Sequence, residues 1–140
     1  MAFILDTCVV SELVRPSPNA NVVGWFDRNF SACRLASPVI MEIEAGAGYS
    51  ADSVRFGKLR AVIDRIFRRF SASQRLVFDE AAAREAGKAL AAAKAGGRPL
   101  GIVDAEIIGL AAALRCAVAT RDAEFEDRGV GLVNPWKEGR

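Results

Sequence analysis

The chain has 140 residues, enough for one domain with its own apolar core, and residues 1–140 read as a single domain. It is 51% hydrophobic and 26% charged, the balance of an ordinary globular domain, and its net charge of +2 is compatible with a nucleic-acid partner without demanding one. It contains no histidine, which excludes Ser-His-Asp and Cys-His catalysis, His-based zinc hydrolysis and His-pair ribonuclease chemistry.

The chain opens on Met-Ala-Phe-Ile-Leu-Asp, which has no basic segment ahead of an apolar run, so no secretory signal fits and a cytoplasmic location is the expectation. Phe3-Ile4-Leu5 reads as a buried strand ending in Asp6 and Thr7. Ser11 to Val14 reads as a helical turn stopped by Arg15-Pro16-Ser17-Pro18. Asn21 is placed to cap a helix carrying Val22, Val23, Trp25 and Phe26. Leu35-Ala36 is a very short second strand, and Ser37-Pro38 is a good helix start, with serine as the cap. That helix carries Glu42 and Glu44 and meets Gly46 and Gly48.

Asp52 opens the next helix, which runs to about Phe70 with Val54, Leu59, Val62, Ile63, Ile66 and Phe67 on its apolar side. Gln74 to Phe78 is a third strand, and Asp79 caps an alanine-rich helix to about Ala95. Residues 96–101 form a loop, followed by a helix over about Ile102 to Arg115. Within that helix Ile107 to Leu114 is the longest apolar stretch, far short of the ~18 residues that span a bilayer, so no membrane partner is expected. Cys116 to Ala119 is a fourth strand and Gly131 to Val133 a fifth. Short apolar strands alternating with helices predict an α/β fold in three α/β/α layers around a short-stranded parallel sheet. Cys8, Cys33 and Cys116 are odd in number and widely spaced, as expected of reduced thiols packed as small apolar groups.

In parallel sheets ligands bind beyond the carboxyl ends of the strands. Asp6 and Asp122 both stand just after a strand. Asp6 can be a turn cap or a ligand on that edge. Asp104 shares a helix side with Ile107, Ile108 and Ala111, where an ionised group is costly unless paired or bound to a cation; a first-turn acid favouring the helix dipole is the plainer alternative. Glu42 and Glu44 lie about 200° apart at ~100° per residue, so both cannot face one site, and periodicity does not choose between them.

Five motifs stand in order: Leu5-Asp6-Thr7, Met41 to Gly46, Gly97 to Ala105, Ala119-Thr120-Arg121-Asp122, and Asn134-Pro135-Trp136. Together they resemble the PIN-domain family, and most of all its VapC toxins of the FitB-like branch. The resemblance implies a PIN fold, a divalent-metal ribonuclease, and a toxin neutralised by a small antitoxin protein, with homodimerisation expected. Carried over by motif, Asp6, Glu42 and Asp104 match the family's three central acids. Glu42 is preferred to Glu44 because it stands four residues before Gly46. Asp122 or Glu124 supplies a fourth acid, with Asp122 favoured, and Thr7 matches the hydroxyl residue beside the first acid. Cys8 stands where the family usually has asparagine or another polar residue, and the run Thr-Arg-Asp-Ala-Glu-Phe is one residue shorter than usual.

Crowded carboxylates repel: at ~5 Å and an effective dielectric of ~20, each ionised pair costs about 3 kcal/mol. A divalent cation removes the conflict, and an all-oxygen donor set selects Mg²⁺ or Mn²⁺ over zinc. Such an ion lowers the pKa of a bound water and neutralises phosphate charge, supplying what a histidine-free protein lacks. RNA phosphodiester hydrolysis is therefore the expected reaction. Asp6, Glu42 and Asp104 would hold the metal, with Asp122 direct or behind them, and Thr7 would position a carboxylate, a water or the phosphate. Arg98 and Arg121 flank the acids and are the expected phosphate contacts, while Arg65, Arg68 and Arg69 share a helix side that reads first as solvated. Two other readings stay open. One is a catalytically silent RNA- or partner-binding module. The other is an aspartate-nucleophile phosphatase, which normally needs a second acid where Cys8 stands. Val22 to Phe26 and Val54 to Phe70 are apolar segments that either a dimer surface or the core would use.

Overall fold

The computed structural model describes residues 1–49 and 53–138. Five strands, β1 (Phe3–Leu5), β2 (Cys33–Ala36), β3 (Arg75–Leu76), β4 (Ala117–Ala119) and β5 (Leu132–Val133), form one sheet in the order β3-β2-β1-β4-β5. All four pairings are parallel. Six helices connect them: α1 (Thr7–Leu13), α2 (Ala20–Asn29), α3 (Ser37–Gly48), α4 (Ser53–Arg68), α5 (Glu80–Ala95) and α6 (Ile102–Leu114). Ala117, Val118 and Ala119 are all buried. Successive strand residues point to opposite faces, so the sheet is covered on both, as the expected three-layer architecture requires. No helix among the described residues is long and apolar enough to cross a membrane.

The chain builds outward from β1 through β2 to β3, then returns to place β4 on the other side of β1. The strand order therefore reverses between β1 and β4, which opens a crevice at their carboxyl ends. Leu5 pairs with Ala119, and the backbone N–H of Asp6 donates to the Ala119 carbonyl at 3.0 Å. This register brings the two polar strand ends, Asp6-Thr7 and Thr120-Arg121-Asp122, side by side.

α6 is the inner helix. Ala105, Ile107, Ile108, Gly109, Leu110 and Ala111 are all buried, as expected of a helix apolar on most of its circumference. Gly109 lets α5 lie against it: a Cβ there would stand 2.5 Å from the Ala82 carbonyl oxygen and 2.7 Å from the Ala86 nitrogen. At the far side of the sheet, Phe26, Phe30 and Phe70 pack with ring centroids 5.2–6.0 Å apart. The guanidinium of Arg69 lies 4.6 Å from the Phe30 ring and reaches Asp27 at 3.6 Å, so this exposed arginine is also engaged in packing. Val22, Trp25, Phe26, Ile63 and Phe70 belong to the core, whereas Leu59, Val62, Ile66 and Phe67 are partly buried and Val54 is exposed.

Several local expectations are corrected. The first helix spans Thr7–Leu13 rather than Ser11 to Val14, because Asp6 caps it with Oδ1 on the Thr7 N–H at 2.7 Å. Asn19, not Asn21, caps α2, accepting from the Asn21 and Val22 backbones. Ser37 does not cap α3; it is the first residue of the helix, and its Oγ accepts from the Phe78 N–H at 3.2 Å. α3 continues through Gly46 to Gly48. The third strand shrinks to Arg75–Leu76: Gln74 belongs to a 3-10 turn over Ala72–Gln74 and is buried with its amide donating to the Phe30 and Cys33 carbonyls. α6 stops at Leu114, where Arg115 takes a left-handed φ of 55°. Asp52, the expected start of α4, lies outside the described residues.

Candidate active site

Asp6 is 4% exposed and serves as a hub. While Oδ1 caps α1, Oδ2 accepts from Thr120 Oγ1 at 2.7 Å and from Cys8 Sγ at 3.1 Å. The two readings of Asp6, cap and site acid, are thus compatible: one oxygen starts the helix and the other faces β4. Burial raises the Asp6 carboxyl despite the three donors that oppose it. Cys8 is one of those donors. Burial and then the Asp6 charge push its thiol up to about 11, so it stays protonated and hydrogen-bonds in the place where an asparagine amide was expected.

Glu42 and Glu44 separate cleanly. Glu42 accepts a hydrogen bond from Thr7 Oγ1, which ties α3 to the first turn of α1. Glu44 is held by Arg60 in a fork, with Asp64 completing the cluster at 3.0 Å from the same guanidinium. The expectation that Glu42 and not Glu44 faces the acids therefore fits a specific cause: a cation on α4 already occupies Glu44.

Asp104 projects from the first turn of α6. Burial, reinforced by Asp6, Asp122, Glu42 and Glu124 in that order, pushes its carboxyl from 3.8 to about 6. The structure thus brings all the sequence-predicted acids within electrostatic reach of one group. Asp122 begins the turn over Ala123–Phe125, with Oδ1 on the Glu124 N–H at 2.9 Å. Glu124 is reached by Arg128 at 3.5 Å, which leaves Asp122 the less compensated of the two candidates for the fourth acid.

One site residue carried no role at the level of sequence. Thr120 is 3% exposed; its Oγ1 donates to Asp6 and accepts from the Asp122 N–H at 2.9 Å. A single hydroxyl thus couples the Asp6 carboxylate to the backbone of Asp122. Its signal was positional, since a strand-end hydroxyl between apolar β4 and an aspartate is the residue that a parallel neighbour would meet. Arg121 stacks its guanidinium 4.3 Å from the Trp136 ring, which explains the closing tryptophan motif. Arg98 donates to the Glu126 carbonyl at 3.2 Å.

The stability consequence of Asp104 has a definite sign. Its folded pKa lies above the unfolded value, so the folded chain binds that proton more tightly. Stability is expected to fall as pH rises from about 4 to about 6 and to level off above that. Melting curves in EDTA across this range should show a shallower fall for Asp104→Asn than for the parent chain, whereas identical slopes would place the cause elsewhere.

The profile of the PIN domain matches residues 3–130. The chain belongs to the PIN-domain family. This PIN domain is 31% identical to the VapC ribonuclease Y4jK of Sinorhizobium fredii, over 96% of its own length and 97% of the relative's. It is 29% identical to the Toxin FitB of Neisseria gonorrhoeae, over 96% and 99%. The crystal structure of FitAcB from Neisseria gonorrhoeae superposes with a TM-score of 0.86 at 29% identity, over 96% of this chain and 99% of that one. The PIN-like fold and the VapC- and FitB-type resemblance expected from the motifs are borne out.

Whether a divalent cation suits the site turns on the donor set. Among the described residues no three acids or thiols stand close enough to make a finished metal cage. The groups that converge on Asp104 are nonetheless all carboxylates, and a protonated Cys8 offers no thiolate. A hard cation is the ligand that such a set fits.

Proposed function

We propose that this PIN domain is a divalent-metal-dependent endoribonuclease acting as the toxin of a toxin–antitoxin pair. The observation that carries the reading is the arrangement of the acids: Asp6 is buried and fixed by Thr7, Cys8 and Thr120, Glu42 accepts from Thr7 beside it, and Asp104 heads the buried helix α6 within electrostatic reach of both. The name of the 31%-identical VapC ribonuclease supports the RNA substrate, and the Toxin FitB name supports the biological role. Asp6, Glu42 and Asp104 would hold Mg²⁺ or Mn²⁺, with Asp122 as the fourth acid. When bound, such an ion supplies an acidified water and offsets charge on the phosphate.

The chain's own residues set the geometry around that chemistry. Thr120 and Cys8 fix Oδ2 of Asp6, and the α1 N-terminus fixes Oδ1. Thr7 orients Glu42. Of the two arginines expected to meet phosphates, Arg121 is the better suited, because a guanidinium stacked by its face keeps its in-plane N–H groups for an anion. Arg98 already donates to a backbone carbonyl. A phosphatase reading loses its support at Cys8, which donates to Asp6 instead of supplying a second acid.

The two glutamates of α3 provide the test. Glu42→Gln should lower Mn²⁺-dependent cleavage of RNA by about a hundredfold or more, whereas Glu44→Gln should leave it within about twofold. Equal losses in the two variants, or none in either, would remove Glu42 from the site. The antitoxin and homodimer parts of the proposal predict suppressed cleavage in a stable complex with a small protein encoded beside the gene, and a two-chain mass by light scattering. Undiminished cleavage in that complex would count against the first, and a single-chain mass against the second.

A further inference from the structure

Arg128 is the most buried cation described in the ion pairs, with a side chain only 7% exposed against 57% for its partner Glu124. Its Nη2 stands 3.5 Å from Glu124 Oε2 without completing a hydrogen bond. A buried guanidinium with an unsatisfied nitrogen costs stability, so its position calls for a compensating role. Its other nitrogens supply one. Nε donates to the Glu124 carbonyl at 2.9 Å, and Nη1 donates to the Arg98 carbonyl at 3.0 Å. Arg98 returns the connection, donating from its own Nη1 to the Glu126 carbonyl at 3.2 Å.

These bonds join two segments distant in sequence. One is the 96–101 loop, which ends at Gly101, the cap of α6, three residues before Asp104. The other is the stretch after β4, which begins its turn at Asp122. We infer that Arg98 and Arg128 form a reciprocal latch that fixes the loop leading into α6 against the segment after Asp122, and so holds Asp104 and Asp122 at one spacing. Both are positioning residues. Neither touches the reacting atoms, and each acts through backbone carbonyls of the other's segment. The latch rests on the proposal that these acids bind a divalent cation.

The latch also explains the residue type. Lysine presents one ammonium and cannot donate along two directions from a planar fork, so Arg128→Lys should not substitute for the parent. Moreover, the latch places a cation beside Glu124, the acid closest in sequence to Asp122 that is not favoured as a ligand.

The test is Mn²⁺ binding to the full chain at pH 7, followed by the electron paramagnetic resonance of free Mn²⁺, with melting temperatures taken in EDTA. Arg128→Ala and Arg128→Lys should both weaken Mn²⁺ binding by about tenfold or more, the range found when groups behind metal ligands are removed. Arg98→Ala, at an exposed side chain, should fold normally and lose less affinity in the same direction. A core variant such as Ile63→Ala, matched in melting temperature to Arg128→Ala, should bind Mn²⁺ as the parent does. Parent-like Mn²⁺ affinity in Arg98→Ala and the Arg128 variants, with Asp104→Asn deficient, would overturn the latch alone. Parent protein that binds no more Mn²⁺ than Asp104→Asn would overturn the metal reading and the latch with it.

Discussion

Asp6→Asn and Asp104→Asn are each expected to lower metal-dependent RNA cleavage by about a thousandfold or more while leaving the fold intact. The two substitutions remove charge without removing shape. Asparagine caps a helix as well as aspartate does, so α1 should still begin at Thr7 when Asp6 is replaced. Asp104 presents the sharper case. Its carboxyl is pushed up to about 6 by burial and by the acids around it. Neutralising it relieves that repulsion, so Asp104→Asn should melt at a higher temperature than the parent at pH 7 in EDTA. Activity and stability should thus move in opposite directions, as is common where function requires crowded like charges. A variant that cleaves at the parent rate, or one that loses activity only because it unfolds, would contradict this assignment.

Gly109→Ala is expected to destabilise the chain by about 3 kcal/mol, which at this length corresponds to a melting temperature lower by roughly 10 °C. The added Cβ would meet the Ala82 carbonyl oxygen at 2.5 Å, the Ala86 nitrogen at 2.7 Å and the Ala86 Cβ at 2.8 Å. None of these is the end of a flexible side chain. Two are backbone atoms of α5, so relief requires the two helices to move apart along a densely packed seam. Gly87→Ala supplies the contrast. Gly87 lies inside α5 with nothing within 4 Å of an added Cβ, and alanine there should stabilise by about 0.5–1 kcal/mol through helix propensity. Urea denaturation of both variants checks the pair. A neutral Gly109→Ala would mean that α5 and α6 are not held at this separation. Because α6 carries Asp104, the same variant should also weaken metal binding.

Asp6 and Asp104 stood out in the sequence because each has a simple positional rule. Asp6 directly follows an apolar run, and Asp104 stands three residues after a glycine that opens a helix. The α/β alternation and the parallel sheet followed from the same apolar pattern, while the strand order is a product of the long-range pairing. Glu42 and Glu44 could not be distinguished by periodicity, since their difference comes from Arg60 on α4, a partner sixteen residues away from Glu44. Thr120 was hidden for a related reason. Its function exists only once Leu5 pairs with Ala119, and register between β1 and β4 is a long-range fact. The misplaced caps have two causes: at Asn19 and Asn21 two like residues compete for one role, whereas Ser37 stands inside the helix with its hydroxyl taken up elsewhere. Tertiary partners, here the Phe78 N–H for Ser37, decide the outcome.

Cys8 departs from the family pattern yet is hydrogen-bonded to Asp6. A thiol is a weaker donor than an amide, but burial and the Asp6 charge keep it protonated and aimed at Oδ2. Position 8 thus supplies a hydrogen-bond donor to Asp6 through a thiol.

The central claim, that these carboxylates form a cation-dependent ribonuclease centre, is tested most directly by one measurement on the purified chain. Cleavage of a single-stranded RNA is followed with Mn²⁺, after addition of EDTA, and after Mn²⁺ is restored in excess. The account predicts cleavage that stops with EDTA and returns with Mn²⁺. Cleavage that persists in EDTA, or RNA that is bound but never cut in the presence of Mn²⁺, would contradict it.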